Sequence, residues 1–142
     1  MRALIALGLA GFVVFASTIL HYEAIHRLDI FARHRRAYPA LLGVIAGLIG
    51  LHMTEIGLYA GLFALADGPL ALGDFRGARL MGTLDYVYFA AEAYASLGYG
   101  DVYPTGEMRL IGSVAPLNGI LLLAWSGSFL FSLVQDWRAN ED

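Results

Sequence analysis

The stretch Ser96-Leu97-Gly98-Tyr99-Gly100-Asp101 decides how the rest of this chain is read. Its two glycines stand at alternate positions and can take backbone angles closed to residues that carry a side chain. Where backbone handedness alternates, successive carbonyls turn the same way. A file of such oxygens, with the Ser96 hydroxyl at its inner end, can replace the water shell of a monovalent cation. One strand supplies only one wall, so this use requires several chains around an axis, and four is the economical number. Gly98-Tyr99-Gly100-Asp101 also suits a reverse turn between two helices, and the flanking sequence has to decide between the two.

The flanks favour the carbonyl file. Of 142 residues, 58% are hydrophobic and 15% charged, the balance of a chain whose solvent is lipid. Ala3 to Leu20 and Leu110 to Val134 contain no charge, and each is long enough to cross about 30 Å of hydrocarbon as a helix. Residues 39–66 are nearly as apolar but include His52 and Glu55. Leu84 to Leu97 is too short to cross and runs straight into the glycine-rich stretch, as a re-entrant helix would; backbone without helical bonds survives at that depth only beside protein or water. The expected architecture is an all-α membrane protein with three transmembrane helices, a re-entrant pore helix and a selectivity filter. Its divisions are an N-terminal span at 1–21, an amphipathic connector at 22–37, a pore domain at 38–135 and a tail at 136–142. Within the pore domain we expect an outer helix at 39–66, an extracellular loop at 67–82, a pore helix at 83–95, the filter at 96–101 and an inner helix at 108–134.

Arginine sets the orientation. The first connector carries Arg27, Arg33, Arg35 and Arg36, whereas the second has Arg76 and Arg79 against Asp67 and Asp74. The first is therefore expected inside the cell membrane, with the N-terminus and filter outside and the C-terminal tail, including Trp137 and Arg138, in the cytoplasm. Ile25, Leu28, Phe31 and Ala32 give the connector an apolar face, which reads as an amphipathic helix on the inner surface with its arginines on anionic lipid. His21, His26 and His34 cluster there and offer pH sensitivity near neutrality. No span carries regularly spaced arginines, so a voltage sensor is not expected. The absence of cysteine excludes thiolate catalysis and sulfur-ligated metals, and no phosphate loop or basic nucleic-acid-binding helix is present.

Several side chains invite a role. Thr83 is placed to cap the pore helix and Asp85 suits its positive end; the negative end then favours a cation below the filter. Pro116 removes one hydrogen bond from the inner helix, while Asn118 either faces a cavity or bonds the pore helix. His52 and Glu55 lie one turn apart on one face, a pair that reads either as a buried anchor or as a proton or metal contact. Two ligands alone are too few for a metal. Gly43 with Gly47, and Gly57 with Gly61, are small-residue spacings that bring helices close.

The run Tyr88-Phe89-Ala90-Ala91-Glu92-Ala93-Tyr94-Ala95-Ser96-Leu97-Gly98-Tyr99-Gly100-Asp101-Val102-Tyr103-Pro104, followed by an apolar helix containing Gly119, resembles the pore module of the potassium channel superfamily. The leading helix, the arginine connector and the Trp125-Ser126 segment also resemble a group of small bacterial proteins with one ion-channel pore domain. The resemblance implies a homotetramer that passes K+ passively through Ser96, Leu97, Gly98, Tyr99 and Gly100, with no reaction and no cofactor beyond K+ itself. It further implies that Glu92 and Asp101 share a proton behind the filter, that Tyr88 and Phe89 form an aromatic cuff for Tyr99, and that Gly119 is a hinge. Ser96 and Leu97 stand where the family usually has Thr-Val, and Phe89 cannot donate a hydrogen bond. A weakly selective cation pore and a nonconducting regulatory subunit are the alternatives.

Overall fold

The computed structural model describes residues 1–33, 37–78 and 82–139. In chain order the elements are α1 (Arg2–Arg33), α2 (Ala37–Asp67), β1 (Phe75–Gly77), α3 (Leu84–Tyr94), β2 (Val102–Pro104) and α4 (Met108–Ala139). Three helices are long and apolar enough to cross a membrane: α1, α2 from Tyr38, and α4. They are mutually packed, and α3 lies between α2 and α4.

The break expected at residue 21 does not exist. α1 continues through Arg33, and at about 1.5 Å per residue its 32 residues exceed the thickness of the hydrocarbon by a third or more. Ile25, Leu28, Phe31 and Ala32 do form one face, but that face packs against Ala40, Val44 and Leu48 of α2 rather than lying on lipid. Glycine makes the contact close: a Cβ at Gly43 would meet the tip of the Phe31 ring at 2.8 Å, and one at Gly47 would meet the end of Leu28 at 2.6 Å, so these side chains would have to turn aside. Gly57 and Gly61, by contrast, face open space within the chain.

Buried residues divide between the two ends of the bundle. Ala32, Val44, Leu48 and Leu133 form one core, with Trp137 packed against it. Ala6, Ala10, Phe63, Phe75, Tyr94, Met108 and Ile111 belong to the other. The end of α1 and the start of α2 therefore sit with the C-terminal part of α4, and the stretch from Ser96 to Asp101 sits at the opposite end, as three crossings demand.

The loop after α2 is more structured than a plain connector. β1 pairs antiparallel with β2, Phe75 opposite Pro104 and Gly77 opposite Val102. Gly77, at φ +107°, lets its backbone approach the strand after the filter so closely that a Cβ would sit 1.9 Å from the Asp101 carbonyl oxygen. Phe75 anchors the loop through ring contacts with Phe63 and Phe89 at 5.7 and 5.0 Å between centroids.

Candidate functional site

The filter stretch begins where α3 ends, and its geometry is set by the way that helix is capped. The Ser96 N–H donates to the Ala93 carbonyl at 3.1 Å and the Leu97 N–H reaches back to the Glu92 carbonyl at 2.9 Å. This pair of bonds is the Schellman termination, which requires a left-handed residue just past the helix cap. Ser96 occupies that place at φ +58°, where glycine is usual and a side chain costs about 1 kcal/mol or more. Gly98 at +61° and Gly100 at +77° continue the alternation, and Leu97 and Tyr99 between them lie outside the left-handed region. Ala95 to Asp101 are exposed on the surface of the chain, Tyr99 at 68%.

Behind this strand the supports differ in part from expectation. Glu92 is buried, and its Oε1 accepts from the Gly100 N–H at 3.0 Å; its Oε2 has no hydrogen-bond partner among the described residues. Asp101 instead accepts from the Tyr88 hydroxyl, at 3.0 and 2.9 Å to its two oxygens, and from the Val102 N–H at 3.0 Å. The carboxylates therefore hold different donors rather than one shared proton. The bond to Asp101 pushes the Tyr88 phenol up to about 12. Phe89 is set among Phe63 and Phe75, at 5.1 and 5.0 Å, while the Tyr88 hydroxyl is held by Asp101. Thr83 has helical angles (φ −63°, ψ −19°) and makes no side-chain cap bond; a capping hydroxyl needs an extended backbone at that point.

On α4, Gly119 is a packing position. A Cβ there would lie 2.0 Å from the Tyr94 carbonyl oxygen, so the end of α3 rests directly on the α4 backbone. Pro116 lies inside α4, which runs unbroken past it. Asn118 faces neither a cavity nor α3: its Nδ2 donates to Ser17 Oγ at 2.8 Å and to the Tyr59 hydroxyl at 3.1 Å.

His52 and Glu55 are joined by a residue that sequence reasoning assigned elsewhere. His21 is fully buried in α1, and its Nδ1 bonds Glu55 Oε1 at 2.8 Å. Glu55 Oε2 takes the Tyr94 hydroxyl at 2.5 Å and His52 Nδ1 at 3.0 Å, and Ser126 Oγ lies 3.0 Å from His52 Nε2 and 3.3 Å from His21 Nε2. Ligand-type atoms of His21, His52 and Glu55 all fall within 4.8 Å of one another. Only the one-turn spacing of His52 and Glu55 was visible in the sequence; His21 lies over thirty positions away. His26 is exposed and takes no part, and His34, Arg35, Arg36 and Arg79 lie outside the described residues.

A family model described as "Ion channel" matches residues 51–136, which take in the second half of α2, all of α3, the filter stretch and nearly all of α4. Comparison with curated proteins and with solved structures gives no match.

Proposed function

The chain belongs to the ion channel family, of the two-span potassium-channel pore type, and from that premise we propose that four copies surround an axis and pass K+ passively through the carbonyls of Ser96, Leu97, Gly98, Tyr99 and Gly100. The observation that carries this reading is the left-handed backbone at every second residue, Ser96, Gly98 and Gly100. That alternation is what turns consecutive carbonyl oxygens to one side, and oxygens so placed substitute for the hydration shell of a monovalent cation. The exposure of the whole strand fits a wall completed by neighbouring copies.

In this reading Glu92 and Asp101 brace the filter from behind, one through the Gly100 N–H and the other through Tyr88. The α1–α2 junction lies in the cytoplasm, the filter near the outer face of the cell membrane and the end of α4 inside. Arg27 and Arg33 are exposed toward the end of α1, where they meet anionic headgroups; Arg33 also bonds Asp29 at 2.9 Å.

The test is flux from liposomes holding the purified protein, with K+ and Na+ compared and Gly98→Asp as control. Flux that favours K+ and disappears in the control supports the reading, as does a native mass of four chains. Equal K+ and Na+ flux makes it a weakly selective pore, an outcome to which Phe89, with no hydrogen bond to donate and packed with Phe63 and Phe75, would give a reason. No flux in either salt makes it a nonconducting subunit.

A further inference from the structure

The buried cluster behind α3 has a donor and acceptor count that does not close without one more proton. Glu55 is acceptor-only when ionised. Its oxygens face both His21 Nδ1 and His52 Nδ1, at 2.8 and 3.0 Å, and the Tyr94 hydroxyl beside His52 Nδ1 spends its one hydrogen on Glu55, so with Glu55 ionised Nδ1 carries hydrogen in both rings. In neutral imidazoles the two Nε2 atoms are then bare acceptors, and both point at one hydroxyl, Ser126 Oγ, at 3.0 and 3.3 Å. A hydroxyl donates once. One Nε2 lone pair is therefore left against an oxygen lone pair in a site where Glu55 and His21 are fully buried, and buried unmatched polar groups are costly.

One added proton resolves the mismatch. With either imidazole charged, its Nε2–H donates to Ser126, the Ser126 hydroxyl donates to the other Nε2, and the cycle His21–Glu55–His52–Ser126 closes with every bond matched. The positive imidazolium also cancels the Glu55 charge, which an apolar interior otherwise penalises. The Trp125 ring, 5.3 Å from His21 between centroids, offers a π face to that cation. The titratable groups that meet here are His21 from α1; His52, Glu55 and Tyr59 from α2; and Tyr94 from α3. α4 contributes Ser126, Asn118 and Trp125, none of them ionisable at ordinary pH. Glu92, the nearest further acid on α3, is committed to the Gly100 N–H.

We infer that this four-residue ring is a binding site for a single proton, and that the bound proton regulates conduction through Tyr94. The regulatory half rests on the channel reading above. Tyr94 connects the two sites: its hydroxyl donates to Glu55 and lies 2.9 Å from His52 Nδ1, while its backbone is the last helical turn before Ser96 and bears on Gly119. The closed ring holds α1, α2 and α4 as one unit against the end of α3. As pH rises and the proton leaves, a charge-assisted bond is lost and the backing of the filter slackens. The same side chains have the look of a metal site, but their inward atoms already have hydrogen-bond partners, and a proton completes the set without displacing any. His52, 12% exposed, is where the ring meets the surface.

The experiment uses the full chain in two preparations. Histidine 15N NMR in lipid nanodiscs counts the charge on His21 and His52 across about pH 5 to 9, and K+ flux from liposomes is followed over the same range. We expect a shared one-proton transition in the two imidazoles, with flux falling about tenfold as that proton is lost, a usual size for coupling between sites. Ser126→Ala should abolish the shared transition and flatten the flux profile. Tyr94→Phe should keep the NMR transition yet remove the pH dependence of flux. Two imidazoles that stay neutral throughout, or that titrate unchanged in Ser126→Ala, overturn the proton site. Micromolar Zn2+ that captures both histidines at the pH of proton binding also overturns it, in favour of a metal. A flux profile that is the same in Tyr94→Phe as in the parent overturns the coupling. A normal NMR transition with no K+ flux at any pH supports the proton site and overturns the channel reading together with the regulatory half.

Discussion

Substituting alanine for Gly119 separates two uses of a glycine in the middle of a membrane helix. The added Cβ would stand 2.0 Å from the Tyr94 carbonyl oxygen, 2.8 Å from its carbon and 3.1 Å from its Cα, all backbone atoms, whereas ordinary contact begins at 3.4 Å. No rotamer change relieves such a clash, so the end of α3 and the α4 backbone must separate by more than an ångström. Overpacking of this kind costs about 1–3 kcal/mol, and here the displaced residue, Tyr94, lies two positions before Ser96, so the strain is delivered to the stretch from Ser96 to Asp101. Gly127→Ala is the control, since a Cβ there meets nothing within 4 Å and alanine suits a helix interior better than glycine by about 1 kcal/mol. Unfolding of the purified protein in increasing denaturing detergent, with K+ flux measured alongside, should show Gly119→Ala less stable and less conductive and Gly127→Ala at least as stable as the parent. If Gly119 serves only as a hinge, Gly119→Ala retains full stability and alters only the opening of the pore. Parental stability in Gly119→Ala would refute the packing argument.

Three further outcomes are expected. Ser96→Gly should relieve the left-handed strain and raise stability by about 1 kcal/mol, while Ser96→Val, β-branched at φ +58°, should lower stability and flux together; equal stability of the two variants would mean that the cap does not set the filter. Glu92→Ala removes the acceptor for the Gly100 N–H and should change the persistence of current without erasing ion preference, whereas Glu92→Gln keeps a carbonyl acceptor and should stay closer to the parent; identical decay kinetics in all three would count against the brace. In the exposed loop, the hydrogen bond from Thr105 and the nearby Arg76 hold the Asp74 carboxyl below its ordinary 3.8. A lowered folded pKa means that the contribution is fully present above that ordinary value and is lost as pH falls through the folded one. Thr105→Val should therefore loosen the β1–β2 hairpin at neutral pH and weaken its acid sensitivity, as read by amide hydrogen exchange; an unchanged exchange profile would dismiss the Asp74–Thr105 contact.

Much was decided by residue type and order, because the relevant physics is local or one-dimensional. Apolar runs with little or no charge, about as long as the hydrocarbon is thick, predict helices wherever they occur, and the three spans follow from that. The short apolar segment before Ser96 had to re-enter, and glycine at alternate positions predicted the alternating backbone seen at Gly98 and Gly100. Gly43 and Gly47 were legible as a close helix contact, since two small residues one turn apart make a groove whatever fills it. What the sequence could not carry is the choice of partner between faces of similar composition. The apolar side of residues 22–33 suits lipid and α2 equally, and only packing placed it on α2 and lengthened α1. Phe89 packs with Phe63 and Phe75 because the β1–β2 hairpin delivers Phe75 beside it, and that hairpin has no strong local signal in three-residue strands. His21 met His52 and Glu55 only because α1 and α2 are antiparallel and in a register that sets residue 21 beside residue 55. Periodicity says which side chains share a face of one helix; which faces meet, and therefore which buried charges find one another, is decided by the three-dimensional packing of all the helices at once.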